Sequence, residues 1–185
     1  MRWHAEGRID DGKMRHPADS PVWKIFDNLY PKFASEPRYV RLGLAADGFN
    51  PFKAVNVSHS SWPVIMMPYN LPPWLCMKQP HMMMTLLIDG PSSPWNNIDV
   101  YLRLVVDELK ELWENGVDTY DAETNQMFRM HAVLLWTIND FPAYAILSRW
   151  STKGALACPY CNTHTRSWYL KSGRKLCYMG HRCWL

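Results

Sequence analysis

Between residues 39 and 46 the chain reads YVRLGLAA, a β-branched and aliphatic run that stops at Asp47-Gly48. A run of this length, closed by a turn dipeptide and by a proline that cannot continue a ladder, predicts a strand. Two further apolar runs, WPVIMMPYNLP and HMMMTLLIDGP, are bounded by Pro or Gly and are too short for helices. They predict buried strands, with Met82, Met83 and Met84 in the core. Three strands in series suggest a meander. The period then changes. In NNIDVYLRLVVDELKELWENG, Ile98, Leu102, Val105, Leu109 and Leu112 recur every three or four positions, Asn97 can cap and Gly116 can terminate. That stretch predicts the chain's clearest helix.

Beyond it, two extended runs flank a polar turn at 121–125, and the second, residues 128–138, ends in AVLLWTI, which predicts a central strand. FPAYAILSRW then predicts a helix starting at Pro142. The first forty residues, rich in His, Pro and Trp, read as an irregular lead-in with one short helix. Asp19 or Ser20 is its N-cap, Pro21 its first residue, and Pro31 its end. His4 and His16 in that segment are expected to be exposed or locally hydrogen-bonded. The element order, three strands, a long helix, a strand and a helix, predicts a mixed α/β sheet. Three regions follow: a lead-in at 1–38, a sheet region at 39–150, and a Gly-, Pro- and Cys-rich tail at 151–185.

At 185 residues, 48% apolar and 20% charged, the chain fits one domain or most of one, and neither a disordered tail nor a coiled coil. No run approaches the roughly 20 apolar residues of a membrane span, and the start lacks the apolar stretch of a secretory signal. An intracellular, reducing setting is therefore expected, in which five cysteines are thiols or metal ligands rather than a disulfide framework. The net charge of +3 implies no partner, but its distribution is uneven. Residues 141–185 hold no Asp or Glu, yet carry Arg149, Lys153, Arg166, Lys171, Arg174, Lys175 and Arg182. Such a tail either faces phosphate or is a solvated basic surface.

Two acids mark strand ends. Asp47 follows the first strand and Asp140 the strand after the long helix, and a mixed sheet can bring both to one edge. Carboxylates held together repel unless they share a divalent cation, and oxygen ligands suit Mg²⁺ or Mn²⁺. Two such ions about 3.5 to 4 Å apart can activate a water or a 3′-hydroxyl and stabilise the leaving oxygen in phosphodiester transfer. A plain turn role for Asp47, beside Gly48, is the alternative. The cysteines carry a more specific signal. Cys158 and Cys161 form a CxxC, and Cys177 with His181 forms a second close pair, the donor set that tetrahedral Zn²⁺ takes. His164 and Cys183 are rival ligands. Zinc would let a segment without a core of its own fold.

Several stretches together, MRWHAEGR, DGKMRHPADSPVWKIFD, RLGLAADGFNPF, PYNLPPWLCMK, IDVYLRLVVDELKELWENGVDTYDA, LLWTINDFPAY, WSTKGALACPYCN and the closing CYMGHRCWL, resemble the transposase of plant CACTA-type DNA transposons, the Enhancer/Suppressor-mutator class. The resemblance runs almost end to end. It implies a ribonuclease H-like core of the DDE type, which cuts and rejoins DNA at transposon ends with two Mg²⁺ ions, works in the nucleus and has DNA, and a possible second copy of itself, as partners. Carried over residue by residue, Asp47 of DGFNPF is the first catalytic acid and Asp140 of TINDFPA the second. The CxxC is similar to a Cys-containing motif that several eukaryotic DDE families keep after the second acid. Lys171, Arg174 and Lys175 are the expected DNA contacts.

The chain also departs from the family pattern, which has LIPGP where this chain has LIDGP, LSGWSTKG where it has LSRWSTKG, and GHRRFL where it has GHRCWL. Asp89, Arg149 and Cys183 therefore read as drift, and Arg149 is expected to strain its loop if the glycine it replaces had a positive φ. The third acid of a DDE triad belongs on a later helix than any present. The expectation is a partial core, inactive alone in strand transfer. The alternatives are a non-catalytic zinc-containing nucleic-acid-binding module and a degenerate fragment.

Overall fold

The computed structural model of the protein describes residues 1–52 and 59–180. In chain order the elements are α1 (Trp3–Glu6), α2 (Pro21–Leu29), α3 (Pro31–Ala34), β1 (Val40–Ala46), β2 (Trp62–Pro68), α4 (Pro73–Cys76) and β3 (Met83–Ile88). There follow α5 (Ile98–Glu114), β4 (Val117–Asp121), β5 (Gln126–Met130), β6 (Ala132–Ile138), α6 (Phe141–Ser148), β7 (Ser167–Leu170) and β8 (Lys175–Tyr178). Four strands form the main sheet in the order β3-β2-β1-β6. β1 pairs antiparallel with β2, β2 antiparallel with β3, and β1 parallel with β6.

Alternation along β1 decides the layering, because successive side chains of a strand point to opposite faces. Val40, Leu42, Leu44 and Ala46 join Val64, Met66, Ala132 and Val105 in one buried cluster, against which the α5 stripe of Leu102, Leu109 and Leu112 packs. That is the three- and four-residue periodicity read above, now facing a sheet. On the opposite face Ala18, Trp23, Met67, Tyr69 and Cys76 form a second cluster with Ala45, Leu135 and Trp136. Gly43 sits under the Tyr69 ring, where a Cβ would have no room. The lead-in is therefore a covering layer, and its helix starts as expected: the Ser20 hydroxyl accepts from the Trp23 N–H at 3.2 Å and Pro21 opens α2. Asn70, fully buried, accepts from the Arg41 N–H at 2.8 Å and donates to the Tyr39 carbonyl at 2.7 Å, pinning the start of β1.

The structure corrects several expectations. Pro31 does not merely end a helix: it opens α3, because its fixed φ suits a first helical position. The run 128–138 is two strands, split at His131, whose ring shares a hydrogen bond with the Trp113 carbonyl at 3.0 Å. β5 turns back on β4 in a separate hairpin, and β6 alone enters the main sheet. Among the described strands β6 is an outer strand rather than a central one, pairing with β1 only. β3 is the other outer strand, and Met83 and Met84 lie mostly exposed on it, so only Met82 of that run packs against the core. His4 and His16 are locally hydrogen-bonded, as expected, and both are also buried. His16 caps a short 3₁₀ turn, its Nδ1 accepting from the Ala18 N–H at 3.1 Å, while its Nε2 reaches the Leu71 carbonyl. Within the Gly-, Pro- and Cys-rich tail, β7 and β8 form a hairpin. Among the described residues no helix is long and apolar enough to cross a membrane.

Candidate functional site

Parallel pairing of β1 with β6 sets the geometry at the sheet's carboxyl edge. Ala45 stands opposite Ile138, so the two strands end together, and Asp47 and Asp140 each follow two residues later. Neighbouring strands lie about 4.8 Å apart, which is what lets residues distant in sequence become neighbours here. Both aspartates line one cleft of about 270 Å³, together with Ala45, Ala46, Pro63, Ile65, Ile138 and Asn139. Both are exposed to solvent.

Each acid is held locally. Asp47 Oδ1 accepts from the Gly48 N–H at 2.7 Å. Asp140 is the N-cap of α6, its Oδ1 accepting from the Ala143 N–H at 2.8 Å. α6 is anchored by Ala143 and Ile146, which pack on Trp62, Ile88 and Ile98, so the cap position is fixed by core packing. Asn139, a residue that the sequence did not single out, ties the strand ends together. With its amide nitrogen turned toward the carbonyls, it donates to Ala46 O at 3.2 Å and Ile138 O at 3.0 Å, and its oxygen accepts from the Thr137 hydroxyl. An Asn between a strand end and a helix cap is the only sequence signal for this, and it is a weak one. Past α6, Arg149 does occupy the left-handed region, with φ 53°, and pairs with Asp99. A glycine there would carry no such backbone cost.

The cysteines are placed less completely. Cys158 and Cys161 are both buried thiols, and the Cys161 N–H donates to Cys158 Sγ at 3.4 Å, so one turn of chain presents both sulfurs. They border a cavity of about 320 Å³ with Phe141, His164 and Arg166. Cys177 lies on β8, half-buried, opposite Trp168. His181 and Cys183 lie outside the described residues. Among the described residues no three His, Cys, Asp or Glu side chains gather closely enough to hold a metal. Lys171 and Arg174 occupy the β7–β8 turn and Lys175 opens β8, all three exposed.

These positions fall within a recognised sequence family. The model of transposase family tnp2 matches residues 11–185. The chain belongs to that transposase family. No curated protein and no solved structure matches it. In this tnp2-family chain the matched span takes in both aspartates, the CxxC and the basic hairpin, so every candidate group stands inside the family's own sequence.

Proposed function

We propose that this tnp2-family chain carries the first part of a DDE-type catalytic core of the CACTA class, in which Asp47 and Asp140 hold the metal. The observation that carries this reading is that both acids end adjacent parallel strands and line one cleft. The β3-β2-β1-β6 order, with a long helix crossing between β3 and β6, supports a ribonuclease H-like ancestry. The donors fit a hard cation: two exposed carboxylates with free oxygen lone pairs suit Mg²⁺ or Mn²⁺. When bound, such an ion activates the attacking oxygen and stabilises the leaving one in phosphodiester transfer. The chain's own part is to fix the two carboxylates, Asp140 through α6 and both through the Asn139 bridge. A two-ion site takes more ligands than these, so the pair by itself should bind metal without strand transfer.

Titration with Mn²⁺, followed by loss of its free electron-paramagnetic signal, tests this. Asp47→Asn and Asp140→Asn should each weaken binding by about tenfold or more, the removal of one charged ligand oxygen being worth a few kcal/mol. Asn remains a good N-cap, so Asp140→Asn should leave α6 intact. Wild-type Mn²⁺ affinity in both variants would overturn the assignment.

The CxxC supports a second element of the same reading, structural zinc held by Cys158, Cys161, Cys177 and His181, with His164 and Cys183 as alternatives. Two buried thiols on one turn fit half of a tetrahedral site. Metal analysis of purified protein should find one zinc per chain, lost in Cys158→Ser; zinc-free protein would remove it. Lys171, Arg174 and Lys175 are assigned to DNA phosphate, and the nucleus is the compartment that this reading implies. Salt-sensitive DNA binding without any Mn²⁺ site would favour a non-catalytic module instead.

A further inference from the structure

The β7–β8 hairpin carries more than cations. Register pairs Trp168 with Cys177 and Leu170 with Lys175, so Trp168, Leu170, Cys177 and Lys175 share one face of the ribbon, with Lys175 diagonal to Trp168. Trp168 is 67% exposed, on the strand that leads directly to Lys171. Among the described residues its ring stacks on no other aromatic ring, and its indole N–H has no acceptor. An exposed indole of this size is costly to leave in water, and the sequence around it has no acid to pair with its cations: residues 141–185 hold neither Asp nor Glu. The ribbon is held at its base, since the Met179 N–H donates to the Arg166 carbonyl at 2.9 Å and the Tyr178 hydroxyl to the Gly154 carbonyl at 2.9 Å. It therefore projects the aromatic ring and the basic turn together.

We propose that this hairpin is a docking surface for unpaired DNA, with Trp168 stacking on an exposed base while Lys171, Arg174 and Lys175 hold the flanking phosphates. Charge complementarity selects a polyanion, and the aromatic ring selects one with an accessible π-face. In a duplex each base is already stacked on both sides and offers only its edges. Base stacking on an aromatic side chain is worth about 1–3 kcal/mol and tolerates any sequence, which suits a ring presented on a short ribbon. The surface deepens the transposase reading, because DNA ends opened for cleavage expose unpaired bases. It does not involve the aspartate cleft.

Fluorescence anisotropy with a labelled 20-nucleotide single strand and the corresponding blunt duplex, both without added Mg²⁺ or Mn²⁺, tests the assignment. The wild-type chain should bind the single strand more tightly than the duplex. Trp168→Ala should weaken single-strand binding by about tenfold, the lower-middle of the stacking range, and leave duplex binding within about twofold. Trp168→Phe should restore most of the loss, since it keeps a stacking face. Lys171→Ala combined with Lys175→Ala should weaken both probes and flatten the salt dependence. Equal losses on both probes in Trp168→Ala, no preference for the single strand, or tighter capture by anionic lipid vesicles than by DNA would overturn it. Because neither Mg²⁺ nor Mn²⁺ is added, failure of the Mn²⁺ site at Asp47 and Asp140 would leave this result unchanged, and the reverse also holds.

Discussion

Replacing Asp27 with leucine should destabilise the protein more than replacing its partner, Arg41, with methionine. Arg41 is 1% exposed on β1 and donates to Asp27 Oδ1 at 2.7 Å, whereas the Asp27 side chain is 30% exposed. The guanidinium also lies over the Trp23 ring at 4.6 Å and the Phe33 ring at 5.1 Å, and its Nη1 meets His4 Nε2 at 3.3 Å. Its Nε is buried with no hydrogen-bond partner among the described residues. Removing Asp27 leaves a cation in the interior with one neutral imidazole as acceptor, the case in which breaking a buried pair costs about 3–5 kcal/mol. Removing Arg41 leaves a carboxylate that can still reach water, and methionine fills the space between the two rings, so that loss should be nearer 2 kcal/mol. The double variant Asp27→Leu/Arg41→Met should recover most of the larger loss, since no unpaired charge is left. Urea unfolding of the four proteins measures all of this. Equal destabilisation by the two single changes would show that Arg41 is not the desolvated partner.

The effect is large because the lead-in is the second layer of the fold. Arg41 points to the face opposite α5, where α1 and α2 lie, so one ion pair and its two aromatic neighbours fasten residues from before the sheet onto β1. Arg38 does similar work further out, donating to Glu36 at 2.6 Å and Asp121 at 3.1 Å while lying over the Phe128 ring, which joins the β4–β5 hairpin to the segment entering β1. Those contacts are partly open to solvent and should contribute less.

What could be read from the sequence follows from which signals are local. β1, β2 and α5 were legible because each buries a face or stripe whose period shows in the residues themselves. The aspartate cleft was legible for the same reason, strand ends being visible as the residues where an apolar run stops. The position of β6 was not, because AVLLWTI is apolar enough for burial on both faces, and that says nothing about whether a strand's lateral edge is paired. Met83 and Met84 misled for a related reason: an outer strand tolerates apolar side chains in water, and one-dimensional hydropathy cannot see which strand is outer. The burial of His4 and His16 depends on partners tens of residues away, Arg41 and Leu71, with no short-range signature. In the tail, the two four-residue strands on either side of the KSGR turn are too short for a period to emerge.

Burial of His4 has its own measurable consequence, a stability that declines on acidification well above the carboxylate range. Its Nε2 faces the Arg41 guanidinium and so acts as acceptor, which puts the ring proton on Nδ1, toward the Met1 carbonyl at 3.3 Å. Burial, and then the positive charge of Arg41, push its pKa down from 6.5 to about 4, with the Met1 carbonyl and Asp27 opposing. Burial lowers His16 in the same direction. Between pH 6.5 and about 4 the unfolded chain therefore binds a proton that the folded chain refuses, and folding stability falls with pH across that window, by about 2–3 kcal/mol for His4. Below it a second decline begins. Glu36, hydrogen-bonded by Arg38, and Asp121, where hydrogen bonds from Thr124 and Arg38 outweigh burial, have lowered pKa values, so their contributions vanish only as pH drops further. Urea midpoints taken from pH 7.5 to 3 should show both slopes. His4→Asn, which keeps a polar group beside Arg41 but cannot take up a proton, should flatten the upper slope and leave the lower one in place. An unchanged upper slope in that variant would mean that the imidazole is already open to water, and that α1 is not seated on Arg41.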